Sequence, residues 1–177
     1  MRRARSPLIG ILVITSLSIE VAASQGGLAV NQRVTVDGIG PVRIGMTLKE
    51  AALAAGTALV QVSEPEAGEK CYYVRAKSGP AGIDFMVTKG RISRVDISNP
   101  EVLTASGARI GDSEERLKSL YQHRLKVEPP YYLTDNGHYL IIHSNQQHQM
   151  LFETEEGAVT SYRAGKLPEV RYGEGCL

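Results

Sequence analysis

Arg43-Ile44-Gly45-Met46-Thr47-Leu48-Lys49-Glu50-Ala51 decides the reading of this chain, because it has a degenerate copy. Arg109-Ile110-Gly111-Asp112-Ser113-Glu114-Glu115-Arg116-Leu117 follows at an offset of 66 residues. At that offset Leu59 also meets Leu125, Tyr73 meets Tyr139 and Val74 meets Leu140. One residue later in phase, Phe85 meets Phe152, Gly90 meets Gly157 and Ile92 meets Val159. A matching order at this length implies a duplicated supersecondary unit, not a solenoid of many copies.

Each copy reads as a short helix followed by strands. Thr47 and Glu50 fit a capping box, in which the hydroxyl accepts an orphan backbone N–H and the carboxylate reaches back. Leu48, Ala51, Ala52 and Ala55 make an apolar stripe, and Gly56 can end the helix in a left-handed conformation. In the second copy Ser113 or Asp112 caps a helix through Tyr121, with Leu117, Leu120 and Tyr121 facing inward. Glu114 and Glu115 suit the dipole of its first turn.

The spacing predicts strands over 58–62, 71–76, 82–88 and 91–97, and again over 124–128, 138–143, 149–155 and 158–164. Lys89-Gly90 and Glu156-Gly157 read as tight hairpin turns. Ile83, Phe85 and Val87 alternate with Asp84 and Thr88, so one sheet face is buried and the other wetter. Segments 33–36 and 41–44 flank Asp37-Gly38 as a small hairpin before the first helix. Asn99-Pro100 marks a boundary. The fold class expected is α+β: two tandem units, each a short helix packed on a four-stranded antiparallel sheet. They would occupy 25–98 and 99–164, with a tail at 165–177.

Residues 1–24 read as a secretory signal. Arg2, Arg3 and Arg5 precede an apolar run over 7–19, and Val21-Ala22-Ala23 supplies small residues for cleavage near Ala23/Ser24. The run is too short to span a bilayer comfortably. The full chain has 177 residues and a net charge of +1. Removing a segment with three Arg and one Glu leaves about 153 residues near −1. So balanced a charge excludes a nucleic-acid binder that relies on a basic field. The expectation is a soluble secreted or periplasmic protein, without integral membrane association after cleavage.

Cys71 and Cys176 are the only cysteines. In an oxidising compartment an even pair most simply means one disulfide, here tying the tail to the first unit. The alternative is two free thiols. There is no CxxC spacing, and no Cys/His cluster has metal-ligand spacing, so neither metal nor cofactor is expected.

Ile44-Gly45-Met46-Thr47 and its copy Ile110-Gly111-Asp112-Ser113, set in such a helix-plus-strands order, resemble the β-lactamase-inhibitor-protein-like group of exported bacterial proteins. Small outer-membrane assembly lipoproteins share the Gly-Met-Thr helix start. The ending Tyr162-Arg163-Ala164-Gly165 through Tyr172-Gly173-Glu174-Gly175-Cys176 looks like that of uncharacterised exported bacterial proteins. The resemblance implies two sheets side by side, offering a concave polar-aromatic face to a partner. The chain departs from the inhibitors in lacking Trp and in having no cysteine pair inside each unit.

The candidate chemistry is sparse. His138 and His143 are spaced five apart, which puts them on opposite faces of a strand. Glu153 and Glu155 share a face and could form a carboxylate pair, but a solvated edge reads better. No Gly-x-Ser-x-Gly elbow and no phosphate-binding glycine loop is present. Tyr131-Tyr132, after Pro129-Pro130, stands out, because six of the eight Tyr lie in the second unit or tail. Tyr suits interfaces, having one apolar end and one polar end. The candidate binding residues are Tyr131, Tyr132, Tyr139, Tyr162 and Arg163. The sequence therefore favours a non-enzymatic binding module whose partner is a protein or a cell-envelope component. The alternatives are a small secreted hydrolase using Glu153 or His143, and a structural envelope assembly protein.

Overall fold

The computed structural model describes residues 27–62, 71–130, 136–143 and 147–176. The expected signal segment, Tyr131 and Tyr132 lie outside the described residues. The chain opens with β1 (Arg33–Thr35), β2 (Gly38–Ile39) and β3 (Val42–Arg43), then α1 (Leu48–Ala55). Thr47 caps α1 by accepting the Glu50 N–H at 3.3 Å, and the Glu50 carboxylate accepts the Thr47 N–H at 2.8 Å. Both halves of the capping box are thus made, satisfying two donors that helix geometry leaves orphaned.

Four strands follow α1: β4 (Leu59–Gln61), β5 (Cys71–Ala76), β6 (Ile83–Thr88) and β7 (Arg91–Ile97). A short β8 (Leu103–Thr104) leads to α2 (Glu114–Tyr121), which Ser113 caps through the Arg116 N–H at 3.2 Å. Asp112, the other candidate cap, instead accepts the Arg109 N–H at 2.9 Å. The last strands are β9 (Leu125–Glu128), β10 (Gly137–His143), β11 (His148–Glu155) and β12 (Ala158–Lys166). Lys89 and Gly90 have φ of 51° and 73°, and Glu156 and Gly157 have 50° and 78°. Two successive positive φ values match the twist of hairpin strands, and glycine in the second place accepts this without a Cβ clash.

The expectation of two helix-plus-sheet units is corrected by the strand order. Strands dominate, and they form two sheets. One has eight strands in the order β4-β5-β6-β7-β12-β11-β10-β9, and the other has four in the order β3-β2-β1-β8. The cause lies in β7 and β12. Each ends a run of antiparallel strands with an exposed edge, and both carry apolar residues toward the helices. Pairing the edges, with Tyr162 opposite Ile97 and Ala164 opposite Val95, removes two unpaired rows of N–H and C=O groups at once. It also fuses the cores. Phe85, Val95, Ile97, Leu140, Phe152, Tyr162 and Ala164 belong to one buried cluster with Ala51 and Leu117 of the helices. The Phe152 ring sits 5.3 Å from Tyr162 and 5.7 Å from Tyr121. The small sheet takes up the linker as well: β8 runs parallel to β1, with Arg33 opposite Leu103.

The two helix starts dock in the same way. Gly45 N–H bonds the Ile92 carbonyl at 2.7 Å, and Ile92 N–H bonds Met46 at 2.8 Å. Gly111 N–H bonds Val159 at 2.8 Å, and Val159 N–H bonds Asp112 at 2.9 Å. Each helix is thereby fastened to the strand that lies at the sheet's central seam.

Glu114 locks α2 to the sheet. Its Oε1 accepts from the Thr154 hydroxyl at 2.7 Å and lies 2.7 Å from His138 Nδ1. Burial acts to raise the Glu114 carboxyl. The hydrogen bonds from Thr154 and His138, with the charges of His138 and Lys118, outweigh it and hold the group below the usual carboxylate range. A lowered folded-state value stabilises the fold above the ordinary range and stops doing so as pH falls through the lowered value. Glu114→Gln is therefore expected to cost about 1–2 kcal/mol at pH 7. The gap to the wild type should narrow as pH falls from the ordinary carboxylate range through the lowered value and the wild-type carboxylate protonates. Urea titrations at pH 7 and pH 3 measure this, and an equal deficit at both would refute the assignment.

Candidate binding face

Alternation along the strands gives the large sheet two unlike faces. The inner face meets α1, α2 and the small sheet. The outer face carries the row Asp84–Asp96–Arg163–Leu151–Ile141–Lys126, opposed residue by residue across six strands, and Arg75 of β5 extends it by reaching Asp84 with its side chain. It also carries Ser161, Glu153, Tyr139 and Glu128, and on the other side Tyr73, Met86, Arg94 and Gln149.

The C-terminal segment covers part of this face. After Lys166 the chain turns through a short 3-10 helix at Glu169–Arg171 and runs back to Cys176, which is bonded to Cys71 at the start of β5. The disulfide joins residues 105 apart in sequence. Two buried arginines hold this strap from below. Arg94 donates to the carbonyls of Glu169 at 2.8 Å and Tyr172 at 2.9 Å, and Arg163 Nε donates to that of Val170 at 2.8 Å. Thr88 donates to the Glu169 carboxylate at 2.8 Å, and Arg171 pairs with Glu128. Beneath the strap Val170, Met86, Leu151 and Ile141 are fully buried, so the strap completes a second, smaller core. Gly165 makes the fit possible at the seam. A Cβ there would lie 2.4 Å from the Ser93 carbonyl and 2.7 Å from Arg94 Cα.

Next to the strap Asp84, Asp96, Ile97, Ser98, Ser161, Tyr162 and Arg163 line a depression of about 140 Å³. Its charges are paired. Arg75 grips Asp84 with two bonds of 2.6 and 2.8 Å, Arg94 Nε donates to Asp96 at 2.9 Å, and Arg163 pairs with Glu153. Ser161 also donates to Glu153, at 3.1 Å. Burial pushes Asp96 above the ordinary carboxylate value, against the pull of Arg94 and Arg163, and the facing Asp84 adds to the rise. Burial, together with the Asp96 charge, pushes the Tyr73 hydroxyl up to about 12. Arg163 Nη2 is buried without a hydrogen-bond acceptor among the described residues.

The candidate residues divide. Tyr139 and Arg163 share the outer face, with the guanidinium 5.8 Å from the centre of the Tyr139 ring. Tyr162 does not join them as a surface residue. It is buried, its hydroxyl donates to the Val102 carbonyl at 2.9 Å, and burial raises its ionisation well beyond the usual range. Adjacent residues on a strand face opposite ways, so Tyr162 and Arg163 could not both lie in one patch. Glu128 stands opposite Tyr139, so β9 leads toward Pro129-Pro130 beside that ring. The expected tail begins two residues late, because β12 runs on to Lys166. The cysteines are bonded as expected. His143 Nδ1 is 3.0 Å from Gln149 Nε2, and His148 Nδ1 is 2.6 Å from Asp37. No group of three metal-ligating side chains occurs among the described residues. No helix among them is long and apolar enough to cross a membrane.

Asp84, Asp96, Arg75 and Arg94 are the site residues that sequence reading missed. Their signal was the alternation that sets Asp84 and Asp96 on the wetter face, but their mutual pairing is a matter of strand register.

No family model matches the chain, and no curated protein matches it. Among solved structures it is similar to the crystal structure of the uncharacterized protein yfeY from Escherichia coli. The TM-score is 0.47 and the identity 15%, over 78% of this chain and 99% of that one. A likeness at this level carries no argument about function.

Proposed function

We propose that the protein is an exported binding module, and that the open half of its outer sheet face meets a protein or cell-envelope component. The observation that carries this reading is the charged row Arg75–Asp84–Asp96–Arg163, fixed across four strands and opening into a depression beside the strap. Such a network costs desolvation energy that packed apolar residues would not. Fixed charges of both signs do supply register and choice of partner. The signal-like segment at 1–24 and the Cys71–Cys176 bond fit an oxidising, extracytoplasmic destination. The likeness of Ile44–Thr47 to the inhibitor group favours a protein partner.

The hydrolase alternative loses its two named groups. Glu153 is taken up by Arg163 and Ser161, and His143 by Gln149. The Asp84 and Asp96 carboxylates are paired in the same way, with Arg75 and Arg94.

Immobilised mature protein should retain a partner from envelope extract in mild salt. Tyr139→Ala combined with Asp84→Asn should retain at least tenfold less, with melting behaviour close to wild type. Salt near 1 M should weaken capture, because ionic screening then acts within about 3 Å. No retention by the wild type, or equal retention by the variant, overturns the proposal. Turnover of cell-wall or ester substrates that Asp96→Asn abolishes would install the hydrolase reading instead.

A further inference from the structure

A second concavity lies on the opposite side of the large sheet, between it and the small sheet. Its volume is about 160 Å³, and it is bordered by β1, β8, the C-terminal end of α2, and β10 with β11. The floor is apolar, made by Val34, Val36, Ile142 and Met150. Polar groups share the lining. Tyr121 and Thr104 hydroxyls stand 2.8 Å apart, and Thr35, Ser106, Arg124 and His143 also line the cavity.

The charge balance here is one-sided. Arg124 is exposed and lies over the Tyr121 ring, with its guanidinium carbon 5.8 Å from the centroid. It forms no ion pair with a described residue. Asp37, just past Val36, is held by His148 Nδ1 at 2.6 Å. Among the described residues no carboxylate lines the cavity, and Asp112, whose charge acts on Tyr121, is paired with Arg116. A guanidinium presents a planar fork of donors suited to a carboxylate or phosphate, and the Tyr121 hydroxyl, which donates to Met150 Sδ over 3.9 Å, can exchange that contact for a bond to the same oxygens.

We propose that this cavity binds a small amphipathic anion: an acid headgroup at Arg124 and the Tyr121 hydroxyl, with a short alkyl body over Val34, Ile142 and Met150. The volume is below the roughly 300–1,000 Å³ of sites for drug-sized ligands, which limits the alkyl body to a few carbons. The site is distinct from the outer face and does not depend on it.

Sodium hexanoate is the probe, followed by chemical-shift changes in the folded protein and by calorimetry. Hexyl phosphate tests the phosphate source of the same chemistry, and 1-hexanol removes the charge. Hexanoate or hexyl phosphate should shift amides of β8, β10 and the end of α2, and should bind at least tenfold tighter than hexanol. Arg124→Gln should remove most of that preference. Tyr121→Phe keeps the ring and should weaken the acid about threefold while leaving hexanol unchanged. Equal binding of acid and alcohol, unchanged binding in Arg124→Gln, or no saturable shift at 50 mM would each overturn the proposal.

Discussion

Replacing both cysteines, Cys71→Ala with Cys176→Ala, is expected to lower the unfolding free energy by about 4 kcal/mol. The bond closes a loop of 105 residues. In the chain-entropy account a loop near this length restricts the unfolded ensemble by about 4–5 kcal/mol. The fold should survive, because the eight-stranded sheet and its helix-side core do not pass through the bond. What should suffer is the strap. Without its anchor at Cys71 it is held by Arg94, Arg163, Thr88 and the burial of Val170. Urea unfolding with and without reductant measures the change. A loss below about 1 kcal/mol would mean the bond adds nothing to the chain's own preference.

Arg94→Ala is expected to cost about 3–5 kcal/mol, the amount typical of breaking a buried charge network from one side. The Arg94 side chain is 2% exposed. It serves Asp96, the Tyr73 hydroxyl and two strap carbonyls at once. Its removal strands a carboxylate that burial already disfavours, leaves the Tyr172 carbonyl without its donor, and leaves the Glu169 carbonyl with the Tyr172 N–H alone. Arg94→Lys restores charge but not the planar fork, so only part of the loss should return. Because the disulfide and Arg94 hold the same strap, their costs should not add. Combined variants should lose less than the two separate losses together. Strict additivity would show that Arg94 acts elsewhere.

The local elements were legible because their signals are local. Thr47 with Glu50 states a helix start, and Lys89-Gly90 and Glu156-Gly157 state two turns. The alternation of Ile83, Phe85 and Val87 with polar neighbours states a strand and its inner face. The sequence correspondence at 66 residues likewise lines up the Gly45 and Gly111 hydrogen bonds. What could not be read was pairing at a distance. Nothing near Arg163 says that it will lie opposite Asp96, since the partner is 67 residues away. The seam therefore stayed hidden, and with it the single large sheet. Gly38–Ile39 is a two-residue strand and reads as part of a turn. Leu103–Thr104 is equally short and lies where a boundary was expected. The Tyr121–Arg124 cavity draws its residues from five segments, so no motif could announce it. The tyrosine surplus was a better guide to the second half of the chain than to its surface. Tyr121 and Tyr162 are both buried, while Tyr139 reaches the outer face beside Arg163.

Amide hydrogen exchange, comparing the disulfide-bonded protein with the double cysteine variant, tests most directly whether the strap is a cover pinned over a continuous sheet. The expected result is faster exchange confined to the strap, at Arg171 and Tyr172, and to the start of β5. Protection across the β7–β12 seam at Val95 and Ala164 should be unchanged. Loss of protection along that seam, or no change in the strap, would contradict the account.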